Sequence, residues 1–203
     1  MISEAVLKKY RAKVVLLKKG KIIFQEGDTA KFFHIVKNGR VKMSNYSEDG
    51  REFVQGYFTD GQSFGEPPFF SQGRYPASAI SVDDSQVWKI PREEFLKLLK
   101  NNFEIHLDLT RVLCDRLVYK STMLTELAIE EAEHRLTTLI RHLMVHSDRQ
   151  GKSPQKLIFT RQQLADMTGL RVETVIRSVK LLEQKRLLDI DRNGKIIWKH
   201  PRK

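Results

Sequence analysis

The spacing of apolar residues changes along the chain from alternation to helical periodicity, and that change divides it. Between Lys21 and Ile90 apolar residues fall in short runs separated by turn residues. They read KIIFQ, Glu26-Gly27-Asp28, FFHIV, Lys37-Asn38-Gly39, VKMSNY, Glu48-Asp49-Gly50, REFVQGYF, Asp60-Gly61 and, after a loop, ASAISV and QVWKI. Short strands broken by glycine turns predict an all-β sandwich or barrel. Asn38-Gly39 and Asp49-Gly50 are its most specific hairpin signals. Residues 4–19 read as a short basic helix leading into a strand.

The period becomes helical at Pro91-Arg92-Glu93-Glu94, where proline and acids open a helix that Asn101-Asn102 interrupts. A long helix follows from about Phe103 to Leu127. Leu109, Leu113, Leu117, Leu124 and Leu127 recur along it at near-heptad spacing, with Lys120 intruding. Such a stripe is either intramolecular core or a two-helix seam. The rest of the chain reads as complete without it, so a homodimer seam is the expectation. Ala128 to Glu133 reads as a hinge. A further helix from about Glu131 to His146 is expected to bury Leu136, Leu139, Ile140, Leu143 and Met144, and residues 147–155 form a loop.

The stretch Thr160–Glu183 reads as two short helices joined at Gly169. Thr160 and Gln163 have capping-box spacing, and Leu164, Met167 and Leu170 give the first helix an apolar edge. Val175, Val179 and Leu182 form the inward stripe of the second. Its outward face carries Val172, Glu173, Ile176 and Arg177. Arginine can bond two acceptors on guanine, glutamate can accept from cytosine, and apolar groups can meet a thymine methyl. This is the composition of a recognition helix in the major groove; the plainer reading is a helix pair with a solvated charged face. LLDIDRNGKIIWK follows, a hairpin around Asn193-Gly194 that completes a winged helix. Arg161, Gln162, Arg171, Lys180, Arg192 and Lys195 are candidate phosphate contacts.

Composition narrows the class. At 203 residues the chain has room for two modest domains or one large one. Its formal net charge is +11, and Ala132–Lys203 holds 16 Lys/Arg against 7 Asp/Glu, so the basic excess accompanies the helix pair. That is the placement double-stranded DNA requires of its partner. A single cysteine, Cys114, excludes an intrachain disulfide and fits a reducing cytosol. The longest early apolar run, Val14–Leu17, is too short for a signal peptide or membrane span.

The barrel resembles the sensor domain of the cAMP receptor protein/FNR family of bacterial transcription regulators. Gly27, Gly39, Gly50 and Gly65 fall at that family's spacings, and FGEPPFFSQGRYPASA (residues 64–79) resembles its phosphate-binding cassette. With the downstream motif, the likeness covers nearly the whole chain. It implies an α+β protein: a cyclic-nucleotide-binding-like β jelly-roll barrel over residues 1–102, a dimerisation helix and hinge over 103–128, and a winged helix-turn-helix over 129–203. It further implies a cytoplasmic homodimer whose partners are DNA and RNA polymerase. Glu173 and Arg177 match the pair that reads the G·C of a TGA core. Val172 matches the FNR-like branch, and Ile176 departs from its serine, so a palindrome of TTGA-like half-sites is expected.

The resemblance also implies an effector pocket. Gly65 and Glu66 match the phosphate and ribose positions, whereas the Arg-Ser pair that holds the cyclic phosphate falls at Pro76 and Ala77, which offer neither charge nor side-chain donor. A buried phosphate without a cation is costly. Lys120 and Ser121 occupy the positions that contact adenine, and a lysine there departs from the usual hydroxyl. The expectation is therefore a regulator without cAMP or another cofactor. The alternative is one responsive to cAMP or another small ligand through a rearranged cassette, with Arg74 swinging in beside Tyr75. Phe64, Phe69, Phe70 and Tyr75 read as cassette packing, and Glu66 as structural.

Other chemistries fit poorly. An FNR-type iron–sulfur sensor needs several cysteine ligands, and Cys114 stands alone. Haem would have to use His34 or His106, and a lone histidine is more often an ordinary polar residue. A metal-dependent barrel enzyme needs an H-x-H or H-x-D pair, but the barrel holds only His34; His142 and His146 lack a third ligand. No enzyme activity is expected.

Overall fold

Alternation in the first half of the chain becomes two four-stranded antiparallel sheets. The computed structural model describes residues 2–129, 131–147 and 155–198. One sheet has the order β1-β8-β3-β6, from strands Lys13–Leu17, Ser85–Pro91, Phe32–Asn38 and Ser63–Phe64. The other has the order β2-β7-β4-β5, from Ile22–Phe24, Ser78–Ser81, Val41–Tyr46 and Glu52–Phe58. Around them lie α1 (Glu4–Lys9), α2 (Glu66–Ser71) and α3 (Arg92–Asn101). The chain then enters α4 (Phe103–Ile129), within which it divides into two compact units after Val112.

The two glycine turns behave differently. Asp49-Gly50 closes the expected hairpin, with Tyr46 opposite Glu52. Asn38-Gly39 does not: β3 pairs with β8 and β6, whereas β4 pairs with β5 and β7, so this turn carries the chain from one sheet to the other. Distant residues redirect it. Gly39 N–H donates to Asp60 Oδ1 (2.9 Å), and Arg40 gives its backbone N–H and Nε–H to Asp83 (2.9 and 2.7 Å). Gly39 also has φ +96°, and a Cβ on it would lie 2.5 Å from Ser85 Oγ and 2.9 Å from Ser85 Cα. Gly39→Ala is expected to cost about 2–4 kcal/mol in urea unfolding, combining left-handed strain with overpacking. Gly50→Ala, at φ +78° in open space, should cost only the strain, about 1–2 kcal/mol.

Phe33 of β3 stacks on Phe95 of α3 at 3.6 Å and meets Phe69 of α2 edge-on at 5.5 Å, anchoring both helices to one face of the sheet. Ile105 and Leu109 of α4 pack half-buried against this core, so the first residue of the leucine stripe serves intramolecular packing. The stretch read as a loop after β6 contains α2, whose first turn holds Pro67 and Pro68.

In the second unit most of the buried side chains come from three helices, α5 (Ala132–Ser147), α6 (Arg161–Thr168) and α7 (Val172–Gln184), and others come from Met123 and Glu126 of α4 and from Leu157, Leu188 and Ile196. Leu136, Leu139, Ile140, Met144, Leu164 and Leu182 are all but inaccessible, while Leu143 is half-buried. The predicted hairpin forms β10 (Leu188–Ile190) and β11 (Ile196–Trp198), and a strand not foreseen, β9 (Gln155–Lys156), adds to β11. Of the residues read as a loop, 148–154 lie outside the described ones, as does Glu130 of the hinge. No helix among the described residues is long and apolar enough to cross a membrane.

Candidate nucleic-acid interface and sensor cassette

Local sequence sets the start of α6. Thr160 Oγ1 accepts from Gln163 N–H (3.1 Å), and Gln163 Oε1 accepts from Thr160 N–H (2.9 Å), closing the capping box. The helix ends at Gly169 with φ +68°, which lets α7 set off at once from Arg171. Val175, Ser178, Val179 and Leu182 face the core. An apolar pattern cannot point to Ser178 or to Thr168, which is also buried. Thr168 tolerates burial because its hydroxyl donates to the Leu164 carbonyl at 2.7 Å.

The opposite face of α7 presents Glu173, Arg177 and Lys180 exposed, Ile176 41 % exposed, and Val172 half-buried. Glu173 and Arg177 stand one turn apart on that face. Exposed Arg171 sits at the α7 N-cap, and exposed Arg192 and Lys195 at the wing turn. Asp191 fixes that turn by accepting from Asn193 and Lys195 N–H, both at 2.9 Å. Two phosphate candidates have internal partners. Gln162 donates to Asp166 (2.8 Å), and half-buried Arg161 donates to the Gly194 carbonyl (3.1 Å), tying the start of α6 to the wing. Burial lowers the Arg161 guanidinium from its ordinary value, with Glu183 opposing. Sequence spacing gives no sign of a second clasp, in which Lys185, just past α7, holds Glu133 of α5.

In the cassette, Gly65 adopts φ +75° at the N-cap of α2 and Glu66 is buried, its relative exposure being 3 %. A Cβ at Gly65 would lie 3.0 Å from both the Phe24 and Tyr75 rings, which stack on each other at 3.5 Å. Tyr75 donates its hydroxyl to the Phe32 carbonyl at 3.4 Å, and burial pushes its phenol above the ordinary value. Arg74 gives its guanidinium to the Gly27 carbonyl at 2.8 Å instead of turning toward Gly65. Ala77 is buried and Pro76 is exposed. Phe64, Phe69 and Tyr75 are buried as cassette packing, and Phe70 is partly so. Lys120 and Ser121 lie exposed on α4. His142 stacks on Tyr119 at 3.4 Å; the side chain of His146, which shares its helix face in the sequence, lies outside those described.

Two family descriptions match the chain: a cyclic nucleotide-binding domain over residues 14–102 and a Crp-like helix-turn-helix domain over residues 134–203. The cyclic AMP receptor protein of Thermus thermophilus is 30% identical over 169 residues, spanning 83% of this chain and 76% of that one. The fumarate and nitrate reduction regulatory protein of Escherichia coli (strain K12) is 27% identical over 183 residues, spanning 89% and 72%. The solved structure of FixK2 from Bradyrhizobium japonicum shares the fold, with a TM-score of 0.75 at 21% identity and 93% of each chain covered. These likenesses join a jelly-roll barrel and a winged helix-turn-helix in one order on one chain, which therefore belongs to the Crp/Fnr family of DNA-binding transcription regulators.

Proposed function

We propose that the chain acts in the cytoplasm as a homodimer that binds palindromic DNA of TTGA-like half-sites, without cAMP, and engages RNA polymerase there. The carrying observation is the α7 face, where Glu173 and Arg177 stand exposed one turn apart with Ile176 between them. A carboxylate and a guanidinium at that spacing can meet the two partners of a G·C pair. The dimer reading draws on α4, where Leu117, Val118 and Leu124 are 67–70 % exposed and Leu127 is 40 % exposed. Pairing would remove these side chains from water, each worth about 1.5–3 kcal/mol when fully buried. Independence from cAMP draws on Pro76 and Ala77, and on the aromatic rings that crowd Gly65. An effector of another kind would act only through unequal affinity for DNA-ready and unready states.

Fluorescence anisotropy at fixed salt, using TTGA, TGTGA and scrambled palindromes, tests this reading. The TTGA duplex is expected to bind at least about 1,000-fold tighter than the scrambled one, with no change on adding cAMP. Equal affinity for all three would defeat it, and a monomer in sedimentation would defeat the dimer.

A further inference from the structure

One cavity lies apart from the cassette glycine and glutamate. It has a volume of about 370 Å³ and opens where the β2–β3 turn meets β3 and β8; neither Gly65 nor Glu66 lines it. Its walls include Phe24, Phe32 and Tyr75, and its charged groups are Lys31, Arg74 and Lys89 against the single carboxylate of Asp28. That carboxylate already accepts from Gln25 N–H at 2.9 Å. Lys89 rests its ammonium 3.9 Å from the Phe32 ring centre and has no carboxylate partner among the described residues.

His34 also lines this cavity, directly across the β3–β8 ladder from Lys89. Its ring lies 5.3 Å from both Phe24 and Phe64, it is 3 % exposed, and Nδ1 is enclosed without a hydrogen-bond partner among the described residues. Buried polar groups are nearly always satisfied, and leaving one unpaired costs about 1–3 kcal/mol. Packing alone would be met as well by phenylalanine, the residue that flanks the imidazole on both sides. Aromatic walls and excess positive charge around one cavity call for the same kind of occupant, a flat ring that carries a negative charge.

We propose that this cavity binds a small planar organic carboxylate, held by Lys89 and the flanking cations, with its ring against the aromatic walls and beside His34. The site requires nothing of the DNA-binding face. A volume near the lower end of known ligand pockets limits the occupant to roughly a single substituted ring.

Histidine ring signals of full-length protein labelled with ¹⁵N-histidine test this directly, with His34→Phe identifying the His34 resonance. Titration with benzoate is expected to move that resonance saturably, with a midpoint in the micromolar to millimolar range usual for a fragment of about nine non-hydrogen atoms. Benzamide, neutral and of the same shape, should bind at least tenfold more weakly, and Lys89→Met should weaken benzoate by a similar factor. No saturable shift, equal shifts from benzoate and benzamide, or an undiminished response in Lys89→Met would overturn the proposal. An equal shift from inorganic phosphate would make the site one for simple anions and overturn the planar ligand. These measurements contain no DNA, so their failure leaves the operator reading standing.

Discussion

Replacing Arg177 by alanine is expected to erase most of the preference for a TTGA palindrome over a scrambled duplex. A bidentate contact to guanine discriminates by about 1–3 kcal/mol, and a two-fold dimer makes it twice, so cognate affinity should fall by roughly 30-fold to 20,000-fold. Affinity for the scrambled duplex should fall far less, because only the general attraction of one charge per subunit disappears. Folding should hardly notice, since the Arg177 side chain is exposed on α7 and such surface changes stay within about 0.5 kcal/mol. Lys180→Ala gives the contrast: an ammonium that anchors a phosphate there serves every sequence equally, so its removal weakens all duplexes alike and flattens the salt dependence. If Arg177→Ala keeps its operator discrimination, the α7 face does not read base edges as proposed.

How far the sequence announced these features depends on the range of the forces that set them. The Asp49-Gly50 hairpin, the Thr160–Gln163 box and the Asn193-Gly194 wing were legible because each is decided within a few residues. Asn38-Gly39 carries the same local signal but is governed by Asp60, Asp83 and Ser85, which reach it only once the barrel has closed. Strand β9 is two residues long and exists by pairing with β11, so no local pattern could reveal it. Helix α2 was hidden because its six residues include Pro67 and Pro68, tolerated only in a first turn. The α7 face was legible as a helical stripe, whereas Arg161 bonding Gly194 depends on how the wing folds back. Alternation places Phe32, His34 and Val36 on one side of β3, yet the cavity beside His34 also needs the β2–β3 turn and β8, which periodicity does not bring together.

Acidification below the ordinary histidine range is expected to destabilise the barrel through His34. Burial, reinforced by Lys89, pushes its imidazole down to about 3 from an ordinary value of 6.5. The unfolded chain thus takes up a proton near pH 6.5 that the folded barrel refuses until about pH 3. Between those limits the unfolded state holds more protons, so stability is full above about pH 6.5 and falls by about 1.4 kcal/mol per unit as pH drops. Carboxylates held below their usual range act later: Glu52, hydrogen-bonded to Lys42 against its own burial, loses its contribution only as pH falls below its ordinary 4.5. Urea unfolding at pH 7.5 and pH 5 therefore avoids the carboxylates, and the difference between His34→Phe and the parent chain removes the other histidines. His34→Phe keeps a ring between Phe24 and Phe64 while removing the unpaired nitrogen. Its advantage over the parent is expected to grow by about 2 kcal/mol between the two pH values. A constant advantage would mean that the imidazole takes a proton without leaving the fold, and with it that the cavity floor is wetter than its burial implies.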